Sequence, residues 1–310
     1  MRHKTAGPGA ASRPWSGRSL AGRWQHAFFY LLVRHGGLKV AKPALFFVVL
    51  FYCLRPSIAA GALPYLDRRF GPGSVVARYL RVFRLFWSFA VILLERASVG
   101  ITGEFAMTGS EKCTAAIRAL LREGKGLIVL SAHTGAWQLA LAGLCAHTRV
   151  HIVHPRNAGD NDRHFFEHAP DKNAYPISII DPGDGFGGFV AMAAALHKGE
   201  IVCLMGDRMA EGERTGLVTG FMGGEAVFPG SAYRLASVTG APVAVVYTTR
   251  TGPRRFTSRC AAVLRIPPKR DCSLERLRGF ASLYAATLED YVREYPYQFF
   301  NFYNLWKSAA

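Results

Sequence analysis

The apolar positions of this chain follow two rhythms. Before about residue 100 they recur at helical spacing, and beyond residue 125 short solid apolar blocks alternate with helical stretches. A first stretch, WQHAFFYLLVRHGG, starts at Trp24 and leads into LKVAKPALFFVVLFYCLRPS. Pro43 to Leu54 carry no charge. As a helix they would span about 18 Å, against roughly 30 Å of bilayer hydrocarbon. This predicts an interfacial or re-entrant anchor, with a buried core helix as the alternative. Lys39, Lys42 and Arg55 stand where they can snorkel toward headgroups. A third stretch, Val75 to Val99, carries Phe83, Phe86, Trp87, Ala90 and Leu94 at helical spacing with Arg78, Arg81 and Arg84 between them.

The later half predicts strands at 127–131, 149–153, 175–180, 201–205 and 242–248. Helices are expected over 136–146, 161–169, 188–197, 230–239 and 274–291. Strands alternating with helices imply an α/β fold, with a mostly parallel central sheet flanked by helices and an N-terminal helical membrane-associating segment in front of it. Three regions follow: a flexible basic lead-in at 1–20, a helical membrane-associating region at 21–100 and an α/β domain at 101–310. No small-residue cleavage site closes a short apolar segment, so a cleaved signal is not expected.

Composition narrows the class. Of 310 residues, 50% are apolar and 19% charged, which excludes a wholly disordered chain. No run of 18 purely apolar residues occurs, which argues against a polytopic membrane protein. The six cysteines form no CxxC pair and read as buried free thiols in a reducing compartment. Net charge is +17, unevenly spread: residues 1–66 hold nine basic and no acidic residues. An anionic partner is implied, a membrane surface or nucleic acid. Nucleic acid is the disfavoured one, because no nucleic-acid motif is present and the aromatics fall in apolar helical runs.

Sheets of this kind bind ligands beyond the carboxyl ends of their strands. There, in IVLSAHTGAWQLA, His133 sits between a strand and a helix, where an imidazole can take a proton from a hydroxyl near pH 7. Backbone N–H groups around Thr134 to Trp137 are placed to meet an oxyanion. His147, His151 and His154 alternate with apolar residues as a strand would, so no metal is expected. In DPGDGFGG, Gly183, Gly185 and Gly188 spell GxGxxG after a strand, with Asp207 nineteen residues beyond, a spacing close to a dinucleotide fingerprint. Asp181 and Asp184 would place negative charge against a pyrophosphate there, and glycines at a turn are the alternative.

The segment His133-Thr-Gly135-Ala-Trp137-Gln138 resembles the motif of the lysophospholipid and lipid A late acyltransferases, which has the form HxGNWE. MGDRMAEG and GFMGGEAVFPGSAYRLASVTGAPVAVVY resemble that family's second region, with Asp207, Arg208, Phe221, Gly223, Gly230, Ala236 and Gly240 in place. YPYQFFNFYNLWK resembles its HPEQWxWxHxRWK ending, with Tyr295-Pro296 and Gln298 taken as matching and Tyr297 and Leu305 as departing. The resemblance spans about residues 15–307. It implies acyl transfer from acyl carrier protein or coenzyme A to a hydroxyl of a membrane glycolipid or phospholipid-like acceptor, at the cytoplasmic face of a bacterial inner membrane, with no metal or redox cofactor.

Under this resemblance His133 is the catalytic base, and Gly135 and Trp137 belong to the substrate site. Gln138 stands where the motif has a carboxylate that orients the histidine. Glutamine can hydrogen-bond an imidazole but adds no charge. A second carboxylate is therefore expected: Asp207, at a neighbouring strand end, either orients His133 or helps position the acceptor, with Glu211 in reserve. Arg156 and Arg208 are candidates for an acceptor phosphate. Two other functions are kept open, a lipid-binding protein of the same fold with weakened catalysis and a nucleotide-dependent enzyme using the 183–188 glycines.

Overall fold

A computed structural model describes residues 23–155, 176–184, 188–209, 213 and 215–306. The expected helix at 161–169 and residues Arg156, Gly185 and Glu211 lie outside this set.

Three helices lead the chain: α1 (Arg23–Cys53), α2 (Pro56–Phe70) and α3 (Val75–Thr102). Helix α1 is two helices joined at Gly37, whose φ of 66° and ψ of −171° are not helical. The two apolar stretches of the sequence meet at that joint. Ser74 caps α3, its Oγ accepting from the Ala77 N–H, and Gly103 ends the helix in the left-handed region. By length and composition α1 and α3 each reach the span of a membrane-crossing helix, with 22% and 50% of their most apolar windows buried inside the protein. The Gly37 break leaves residues 38–53 of α1 as an unbroken helix of only about 24 Å, so the expectation of a segment short for a full crossing stands.

The α/β part follows as β1 (Ala106–Met107), α4 (Glu111–Leu121), β2 (Leu127–Ser131), α5 (Trp137–Cys145), β3 (Val150–Val153) and β4 (Ile177–Ile180). Then come α6 (Phe189–His197), β5 (Ile201–Met205), β6 (Gly216–Phe221), β7 (Gly224–Pro229) and α7 (Ser231–Thr239). Strands β8 (Val243–Gly252) and β9 (Arg255–Leu264) and helix α8 (Leu274–Glu294) complete it. The sheet order is β1-β9-β8-β2-β5-β3-β4, and every described pairing is parallel except β8 with β9. Strands β6 and β7 form a separate hairpin.

Solid apolar blocks arise because the sheet is covered on both faces. Alternate residues point opposite ways. Leu127, Val129, Ile201, Cys203 and Val246 pack with Cys113, Ile117 and Leu120 of α4. Ile128, Leu130, Val202, Val243 and Val245 join the larger core that includes α3, α6, α7 and α8.

Candidate active site

The β2–β5 register places the site. Ser131 lies opposite Met205, and continuing the same offset by two residues sets His133 opposite Asp207 just past the strand ends. His133 Nδ1 lies 2.9 Å from Asp207 Oδ1 and 3.1 Å from Oδ2. The carboxylate side chain is 1% exposed while the imidazole is 24% exposed, so the ring alone reaches outward. An ionised carboxylate only accepts, so Nδ1–H donates to Asp207 and Nε2 carries the lone pair.

Electrostatics favours the pair as neutral ring and ionised acid. Burial is the largest effect on His133 and lowers its pKa; the Arg208 charge lowers it further, and Asp207 raises it without overturning the result. For Asp207 burial is again the largest single effect and opposes ionisation, but the charge and hydrogen bond of His133, with Arg208, outweigh it and hold the carboxyl below its usual value. A lowered His133 pKa keeps the base unprotonated at neutral pH. We expect kcat/KM to rise with pH through a midpoint below the ordinary 6.5 of histidine, checked by a pH-rate profile. The linked stability has the matching sign. Below 6.5 the unfolded chain takes up this proton before the folded one does, so the contribution is present above 6.5 and lost as pH falls.

A strap of residues after α8 fixes the loop. The Phe300 N–H donates to the His133 carbonyl at 2.8 Å, and the Gly135 N–H donates to the Gln298 carbonyl at 2.8 Å. Thr134 and Phe299 form an antiparallel bridge. On the Asp207 side, the Tyr303 hydroxyl donates to its backbone carbonyl at 3.2 Å. Behind the strap, the Gln298 side chain pairs with the Arg250 backbone in both directions, at 2.9 and 3.0 Å. The Arg250 guanidinium grips fully buried Glu95 of α3 at 2.8 and 2.7 Å. Removing Arg250 alone would leave the buried Glu95 charge without its partner, at a cost of about 3–5 kcal/mol.

The other expected site residues are engaged within the fold. Gln138 Oε1 accepts from Arg96 Nη1 of α3 at 2.6 Å, and Asp207 holds the imidazole Nδ1. The carboxylate that orients the ring therefore comes from β5, while Gln138 ties α5 to α3. Arg208 is turned inward: it donates to the Phe300 carbonyl, approaches Asp207 Oδ2 at 3.5 Å and lies over the Tyr303 ring at 5.6 Å. It braces the acid and the strap. Gly135 has φ +45°, and a Cβ there would land almost on the Thr248 carbonyl oxygen, so close packing selects this glycine. The expected row of oxyanion donors shrinks, because the Thr134 N–H is used by the Ala132 carbonyl and that of Gly135 by Gln298.

Trp137 does sit beside the base, edge to face with His133 at 6.4 Å between centroids. It also lines a largely apolar cavity of about 80 Å³ with Cys113, Ile117, Leu144, Cys203 and Val246. Among the described residues no group of three or more His, Cys, Asp or Glu is arranged around a metal position. His151 instead bonds Glu200 at 2.6 Å and Ser178 at 2.7 Å. In the glycine-rich segment, the Gly183 N–H donates to Asp181 Oδ1, and a Cβ on Gly188 would strike Ile180 and the Asp181 carbonyl. Turn formation and close packing explain both glycines. Sequence reading missed Arg96, Glu95 and Arg250, which lie far from the motif in the chain.

The family model of the bacterial lipid A biosynthesis acyltransferases matches residues 62–308, most of the chain. The chain belongs to this family. As a lipid A biosynthesis acyltransferase family member it is an acyltransferase, and family identity together with the apolar α1 supports membrane association. No curated protein sequence matches the chain.

Proposed function

We propose that this acyltransferase moves a fatty acyl chain from the thioester of acyl carrier protein or coenzyme A to a hydroxyl of a membrane glycolipid or phospholipid-like acceptor. His133 is the general base and Asp207 orients it. The observation that carries this is the outward-facing imidazole bonded through Nδ1 to a buried carboxylate at 2.9 Å. The acceptor hydroxyl gives its proton to Nε2 as its oxygen attacks the thioester carbon. The imidazolium so formed is stabilised by Asp207 and returns the proton to the departing thiolate, leaving an ester and a free thiol. Trp137, beside the base, also borders a largely apolar cavity of about 80 Å³, room for a few methylene groups of an acyl chain.

In this reading residues 21–100 are the membrane-associating region and 101–310 the catalytic one, at the cytoplasmic side where both donors are made. The basic N-terminal part attracts anionic lipid. The test is transfer by the purified chain from acyl-CoA and acyl carrier protein to a panel of glycolipids, followed by mass spectrometry. Wild type should add one acyl chain and release one thiol per turnover, and His133→Ala should do neither. Lipid binding by wild type without transfer to any acceptor would leave the lipid-binding alternative standing.

A further inference from the structure

Three segments far apart in the chain close a ring around the imidazole. Asp207 holds the His133 side chain through Nδ1 at 2.9 Å. The His133 carbonyl accepts the Phe300 N–H at 2.8 Å. The Phe300 carbonyl accepts from the Arg208 guanidinium, whose Nε lies 3.5 Å from Asp207 Oδ2. Tyr303 ties the same segments a second time. Its ring lies against the Arg208 guanidinium at 5.6 Å, and its hydroxyl donates to the Asp207 carbonyl at 3.2 Å. So the side chain of Arg208 reaches the backbone of Phe300, and the side chain of Tyr303 reaches the backbone of Asp207.

The Arg208 side chain is 7% exposed and that of Asp207 1%. Taking a cation out of water is unfavourable unless protein groups replace the water. The planar fork of arginine meets two partners in a fixed geometry, which a lysine ammonium on its flexible stem does not. The charge also bears on the base. Facing the His133 ring, Asp207 raises its proton affinity, while Arg208 and His154 lower it. Tyr247 of β8, Tyr284 of α8 and Tyr303 of the strap lie near Asp207. Burial pushes all three hydroxyls up, so they stay neutral around the dyad.

We propose that Arg208 is a positioning residue for acyl transfer: by locking the Phe300 carbonyl of the strap to the Asp207 carboxylate, it fixes where His133 Nε2 points. The inference rests on the reading that His133 is the general base. Asp207 decides which ring nitrogen carries the proton, and Arg208 decides where the pair sits against the strap. Arg208 acts through these two neighbours and touches no reacting atom. Without it the strap carbonyl loses its donor and the carboxylate its cationic neighbour. The ring is then free to shift, and it keeps its proton to a higher pH because a repelling charge is gone.

The experiment compares wild type with Arg208→Gln and Arg208→Lys in the full chain. Carbethoxylation of His133 by diethyl pyrocarbonate is followed across pH by mass spectrometry of the peptide that carries it. This reads the ring with no lipid or thioester present. Acyl-transfer kinetics across the same pH range give the second readout. For Arg208→Gln both midpoints should rise by about one unit, opposite in sign to the effect of Asp207→Asn. The plateau kcat should fall about 10–100-fold. Arg208→Lys keeps the charge without the fork, so the midpoint should return toward wild type while kcat stays low. A raised KM for a phosphorylated acceptor, with kcat and midpoint unmoved, would overturn the proposal in favour of a headgroup ligand. A lower Tm with kcat and midpoint unmoved would reduce Arg208 to a structural brace. Full kcat in Arg208→Lys would remove the lock, even where the glutamine variant fails to fold. Shifted carbethoxylation midpoints beside a wild type that transfers no acyl group would defeat the acyltransferase mechanism and leave Arg208's hold on the ring intact.

Discussion

Asp207→Asn should lower kcat by about 10³–10⁴-fold, the size expected when an acid that orients a catalytic histidine becomes an amide. The amide nitrogen can donate to Nδ1. That stabilises the tautomer with its proton on Nε2, which cannot accept one from an acceptor hydroxyl. The imidazolium also loses its counter-charge. Because Asp207 raises the His133 pKa, its removal should move the base further down the pH scale as the rate falls. The loss then cannot come from a protonated base. Steady-state kinetics across pH would measure both effects, with KM nearly unchanged. A variant with full turnover would remove Asp207 from the mechanism and with it the role given to the His133–Asp207 contact.

Gly135→Ala should cost at least about 100-fold in turnover, although no reacting atom is removed, since a shift of about 1 Å at a catalytic loop has that effect. The backbone at φ +45° disfavours a side chain by about 1–2 kcal/mol, and the methyl group would push on the Thr248 carbonyl. The Gly135 N–H bond to Gln298 and the neighbouring Phe300 bond to His133 should loosen together. Calorimetry should show a lower Tm alongside the kinetic loss. Unchanged Tm and unchanged kcat would mean that the loop tolerates the crowding and that its seat on β8 is not needed.

Much of this architecture was legible in the chain because the sheet is buried on both faces. The blocks at 127–131 and 201–205 coincide with β2 and β5, and their C-terminal ends deliver His133 and Asp207. Elements with weaker patterns escaped. Strand β9 opens on RFTSR, where arginine, threonine and serine interrupt the apolar pattern ahead of its CAAVL end. The β6–β7 hairpin turns at Met222 and Gly223, both at positive φ, and it reads only as a glycine-rich segment until the pairing is seen. Side-chain direction was the main loss at the site. A glutamine at the motif acid and an arginine beside Asp207 look like ligands in one dimension. Their destinations, Arg96 and the Phe300 carbonyl, lie 42 and 92 positions away. Such pairings depend on helix docking, and no local spacing encodes them.

The strap from Gln298 to Tyr303 comes after every strand and α-helix of the described fold, yet it supplies backbone bonds to both His133 and Gly135. The seat of the imidazole and the pairing of the sheet are therefore separable: loosening the strap would release the His133 loop while β2 and β5 keep their register.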